Sequence, residues 1–131
     1  MNDKDKHIKH WIRQAEENWA GADLLFRGGH HSLALFICHL VIEKYCKALW
    51  VRDNVGDVPP KIHNLLKILT TIKVQVSEEH KILLLRANQF QIEGRYEEDQ
   101  DLLEKKITPE LAIEAIENFK ILQKWISKEL E

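Results

Sequence analysis

Apolar residues recur every three to four positions at Ile8, Trp11, Ile12, Ala15, Trp19, Ala22, Leu25 and Phe26, the spacing of one face of an α-helix. Gly28-Gly29 then stops the pattern as a C-terminal glycine pair does, so residues 4–27 read as a long amphipathic helix. From Leu33 to Leu49 the chain is apolar around most of the helical circumference, yet it carries Glu43, Lys44 and Lys47. A helix of that kind belongs in the middle of a bundle. Ser32 is placed to cap it, and Asn54, Gly56 and Pro59-Pro60 break it beyond Arg52.

After the proline pair, Ile62, Leu65, Leu66, Ile68, Leu69 and Ile72 predict a short third helix ending near Lys73, where a β-branched run begins to oppose it. Ser77 followed by Glu78 and Glu79 gives a cap and favourable dipole charges to a fourth helix running to about Glu93. Residues 94–106 are charged and weakly apolar, the pattern of a loop or frayed turn. Thr108-Pro109 starts the last helix with a cap residue and a proline at the first helical position, and its core face is Leu111, Ile113, Ile116, Phe119, Leu122, Trp125 and Ile126. No segment reads as a strand, an internal repeat or a low-complexity linker. The expected fold is all-α: one domain over residues 1–131, an antiparallel up-and-down bundle of four long helices plus one short helix.

Composition changes this picture little. The 131 residues include 19 Lys+Arg and 21 Asp+Glu, a formal charge of -2, which supplies no overall basic field for non-specific attraction to nucleic acid or anionic membranes. Cys38 and Cys46 lie about 12 Å apart along one helix, too far for a disulfide. They read as buried reduced thiols, which fits a cytoplasmic location. The charged N-terminus has no apolar signal core behind it, and no stretch reaches the ~18 apolar residues of a membrane span, so the expectation is a soluble protein with no membrane partner. No histidine has an acid three positions upstream, and HExxH, CxxC, a glycine-rich phosphate loop and GxSxG are absent from the sequence. That removes the common metal, P-loop and hydrolase patterns and leaves no catalytic residue, metal or cofactor to assign. His30-His31 beside Gly28-Gly29 reads as a solvated turn.

The charged cluster on the second helix remains. An ionised group buried without a partner is costly, so these charges must reach solvent, pair, or serve a site. Glu43 and Lys47 have the favourable Glu-before-Lys spacing of four, so a plain intrahelical ion pair is one reading. The other is a polar groove that takes a nucleotide phosphate or a partner chain, completed by a polar group from elsewhere. His63 at the mouth of the third helix is one candidate, able to cap backbone N–H groups or to meet a ligand. Arg95-Tyr96 is the second, a cation and an aromatic placed either for recognition or to close the fourth helix.

These three pieces carry a resemblance. Glu43-Lys44-Tyr45-Cys46-Lys47-Ala48-Leu49, Pro60 to Leu69 around His63-Asn64-Leu65, and Arg95-Tyr96-Glu97 resemble, in order, the Glu-Lys-x-x-Lys-Ala-Leu, His-x-Leu-x-x-Leu and Arg-Tyr-Pro segments of the HEPN family (higher eukaryotes and prokaryotes nucleotide-binding domain). The helix bearing Trp19, Ala22, Asp23 and Leu24 is similar to that family's opening. The resemblance implies a helical bundle, commonly a homodimer, often encoded beside a minimal nucleotidyltransferase in a toxin–antitoxin-like module. It also implies kinship with the helical domain that completes the substrate site of kanamycin nucleotidyltransferases. Many HEPN proteins are metal-independent ribonucleases built on Arg-x(4–6)-His. None of Arg13, Arg27, Arg52, Arg86 and Arg95 has a histidine at that distance, and Glu97 stands where the family has Pro.

The expectation is therefore a non-catalytic HEPN domain that dimerises and binds a nucleotide or a nucleotidyltransferase partner. Glu43 would orient Lys44 and Lys47 toward phosphate. Arg95 would clamp phosphate or a partner carboxylate, Tyr96 would stack, and His63 would complete the surface. Two other readings stand beside it: a ribonuclease with a non-standard site around His63, acting on RNA, and a purely structural interaction module anchored by Trp11 or Trp125.

Overall fold

The computed structural model describes residues 2–56, 58–91 and 97–131. The first amphipathic stripe forms α1, Asp3–Arg27, capped by Asn2, whose side chain accepts from the Asp5 amide, with Asp3 and Asp5 in the first turn. Gly28 closes it through Leu24, and Gly29 turns the chain at φ 83, a left-handed conformation that glycine adopts without strain. That turn feeds straight into α2, His31–Asp53, which starts before Ser32 and has no side-chain cap. Ser32 is thus not the cap. Its hydroxyl donates to Glu104 at 3.3 Å.

The third helix is shorter than expected at both ends: α3 is Leu65–Leu69, capped by Asn64, which accepts from the Lys67 amide. At its end the hydroxyls of Thr70 and Thr71 donate to the carbonyls of Lys67 and Ile68, local bonds that compete with the helical ladder just where the β-branched run begins. α4, Glu78–Ala87, has the expected Ser77 cap, but it tightens into a 3₁₀ turn at Asn88–Phe90 and Gln91 is extended, so it does not reach Glu93. Residues 97–106, expected to be irregular, form α5, Glu97–Lys106. Its apolar content is too low for a periodic signal. The Glu, Gln, Leu and Lys it contains are nonetheless good helix formers, and acids at its start with Lys105 and Lys106 at its end suit the helix dipole. α6, Pro109–Glu129, begins as expected with Thr108 accepting from the Leu111 amide. Among the described residues the fold is all-α with no strand, but it has three long helices, two of ten residues and one of five rather than four long and one short.

Three cross-links set the direction of α1 against α2. The Lys4 ammonium caps the carbonyls of Val51 and Asn54, Lys44 donates to Asn18 at 2.6 Å, and the Phe26 and His31 rings meet at 5.0 Å. The two helices are antiparallel. α6 runs the same way as α2, since Gln123 lies 3.4 Å from the Tyr45 hydroxyl and Arg52 donates to the Glu129 carbonyl. Returning against α6, α4 stacks His80 on Trp125 at 4.4 Å and sets Phe90 near Phe119 at 5.9 Å. α2 is the hub, touching α1, α3, α6 and the 3₁₀ turn, and more than half of its positions are buried. The core includes Leu35, Ile42, Leu49, Leu65, Ile68, Leu84, Phe119, Leu122 and Ile126.

Candidate functional site

Because α2 is enclosed, the charges on it must be met by the elements around it. Glu43 is 3% exposed. One carboxylate oxygen accepts from His63 Nδ1 at 2.8 Å and the other from Lys47 Nζ at 3.4 Å. The buried charge is therefore held from two sides, by its own helix and by the segment entering α3. An ionised carboxylate only accepts, so the His63 proton in this contact sits on Nδ1. His63 keeps a 41% exposed side chain and lines a shallow hollow with Asn64, Asn88 and Gln91. Of the two readings of His63, capping falls away: Asn64 caps α3, and His63 turns inward to Glu43.

The lysines face α1. Lys47 also stands over the Trp11 ring, 5.3 Å from its centroid, a cation–π arrangement. Lys44 is bonded to Asn18, and burial pushes its ammonium below the usual lysine range, with Glu43 acting in the opposite sense. Glu43–Lys47 is thus an intrahelical ion pair, but a nearly buried one with a third member. Arg95 and Tyr96 lie outside the described residues.

A second polar chain runs beneath the hollow, and sequence reasoning did not find it. His39, fully buried one turn before Glu43, has Nε2 at 3.4 Å from Asn88 Oδ1, and its Nδ1 has no hydrogen-bond partner among the described residues. Burial lowers its pKa, while Glu43 and Asn88 favour the charged form. Asn88 Oδ1 also accepts from the Leu65 amide at 3.1 Å, and Asn88 Nδ2 donates to Asn64 at 3.1 Å. One carboxamide therefore ties α2, α3 and the 3₁₀ turn together around His63. The available signal was the asparagine itself, a poor helix-interior residue that favours local side-chain bonds, at a position otherwise read as continuous helix.

The buried thiols also lie near this cluster. Burial pushes Cys38 up to about 12 and raises Cys46 as well, with Glu43 adding to the second, which keeps both protonated and unreactive in the fold. Among the described residues no group of three His, Cys, Asp or Glu side chains is arranged to hold a metal ion, and no helix is long and apolar enough to cross a membrane. What the arrangement offers chemically is a partly exposed imidazole whose Nδ1 is fixed to a buried carboxylate, the kind of oriented ring that hydrogen bonding and proton transfer use.

Against models of known protein families, the chain matches the HEPN domain over residues 8–130. No curated protein and no solved structure gives a match.

Proposed function

The chain belongs to the HEPN domain family, and from that membership we propose that it is a non-catalytic binding module. In this reading it dimerises and engages a nucleotide, a minimal nucleotidyltransferase partner, or both, in a toxin–antitoxin-like pair. The observation that supports this most is the Lys47–Glu43–His63 cluster, in which a buried carboxylate gives one oxygen to Lys47 and the other to a partly exposed imidazole. Burying a charge is costly, and the arrangement returns a fixed hydrogen-bonding group at the surface. His63 with Asn64, Asn88 and Gln91 forms the centre of the proposed face. Lys47 adjoins it through Glu43 while Lys44 faces α1, and both would meet phosphate by leaving Trp11 and Asn18; Arg95 and Tyr96 are assigned from their place in the sequence and from the resemblance.

The test is capture of partners by the tagged protein from its native host, identified by mass spectrometry, alongside His63→Ala. His63 is suited to this because it is exposed, whereas a charge reversal at Lys47 would set a second carboxylate beside Glu43. A stoichiometric nucleotidyltransferase whose capture weakens in His63→Ala supports the reading. Capture unchanged by the substitution removes His63 from the face, and a protein that captures neither nucleotide nor partner defeats the reading.

One observation favours the ribonuclease alternative. A histidine anchored at Nδ1 by a buried carboxylate is the arrangement used for general acid–base chemistry. Metal-independent RNA cleavage abolished by His63→Ala and impaired by Glu43→Gln would move the protein into that class, although the Arg-x(4–6)-His pattern is missing from its sequence.

A further inference from the structure

A distinct cleft of about 220 Å³ lies between α4 and α6, and neither Glu43 nor His63 lines it. Its floor is Leu83, Ala87, Phe90, Ala115, Phe119 and Leu122, and its rim carries Arg86 and Gln89 from α4 facing Glu114 and Asn118 from α6. On the same side of the molecule apolar side chains stand out of the two walls. Ile82 and Leu85 on α4 are 50% and 57% exposed, and Ile121 on α6 is 47% exposed. An apolar cleft with an apolar ridge beside it is the self-complementary pair that a two-fold contact needs, since every contact then occurs twice.

The charges fit the same geometry. Read from the His80–Trp125 end toward the Phe90–Phe119 end, α4 presents Glu79 and then Arg86, while α6, running the other way, presents Lys128 and then Glu114. We propose that the cleft receives α4 of a second copy of this chain. The Ile82–Leu85 ridge of each copy lies in the cleft of the other, with the two α4 helices side by side. A two-fold axis along them sets Glu79 of one copy toward Lys128 of the other, and Arg86 toward Glu114. This names the surface of the dimer in the functional reading above and rests on that reading.

The test is analytical ultracentrifugation of the full chain and of Arg86→Glu, Glu114→Arg and the double variant. Both positions are exposed, and circular dichroism checks that each variant stays folded. A dimer is expected for the native sequence. Each single reversal weakens it by about tenfold or more, and the double variant recovers it because the charges are exchanged across the axis. A dimer insensitive to both single reversals, or a double variant no better than either, overturns this surface and leaves the dimeric reading standing. A monomer at every concentration overturns both.

Discussion

Glu43 holds different partners on its two oxygens, so its loss is felt at both. Replacing it by Ala leaves the Lys47 ammonium, 13% exposed, and His63 Nδ1 without their acceptor. We expect a loss of about 2–4 kcal/mol in urea unfolding, because breaking a buried pair strands the remaining charge. A loss under about 0.5 kcal/mol would place the pair among ordinary surface ion pairs. The sequence supplied the residue and its i+4 lysine. It also offered His63 as a candidate, but not that this side chain, twenty positions away, turns to Glu43, because nothing in a local pattern says which way a side chain in an irregular segment points. The cysteines were legible from spacing alone. Both are free and buried, so an aromatic disulfide reagent should label neither in the native protein and both in denaturant. Rapid native labelling of Cys38 would contradict its enclosure.

At the scale of elements, the starts of α4 and α6 were readable to the residue because Ser77 and Thr108 act through bonds within one turn. Errors fell where a side-chain hydrogen bond, local or from another element, overrode the apolar period. Ser32 was drawn to Glu104, α3 was confined by Asn64 and its threonines, and Asn88 ended α4 by turning its carboxamide to α2 and α3. α5 was missed for a different reason: its helix rests on propensity and charge placement, which leave no apolar stripe to detect. Asn88 is accordingly the residue that couples elements. Asn88→Ala should cost about 1–3 kcal/mol by stranding the Leu65 amide and His39, and should speed hydrogen exchange at Leu65 more than at core amides of α1. Equal protection at Leu65 in both proteins would show that the carboxamide does not hold α3.

For the whole molecule, two of the described groups lower stability as the solution becomes acid. Burial lowers the His39 pKa below 6.5, so beneath that pH the unfolded chain takes up this proton first. Stability is complete above 6.5 and is lost as pH falls toward the folded value. Asp53, held by Arg52 and by the Lys73 amide, is lowered from 3.8 and adds a second loss in more acid solution. Chemical denaturation across pH should show both declines, and His39→Gln should remove the upper one while leaving the lower. An upper decline that survives the substitution would assign it to another group. The same distinction divides what could be read from the chain and what could not. The sequence by itself determined the helical class, the long helices, the central place of α2 and, through three short motifs in order, the family, since periodicity, caps and motifs are properties of neighbouring residues. Only the tertiary structure decided that α6 runs parallel to α2, that Lys44 and Lys47 turn to α1, and that Glu43 meets His63 beside Asn88. These depend on which distant segments pack against one enclosed helix, and an enclosed helix offers apolar contact on nearly every side.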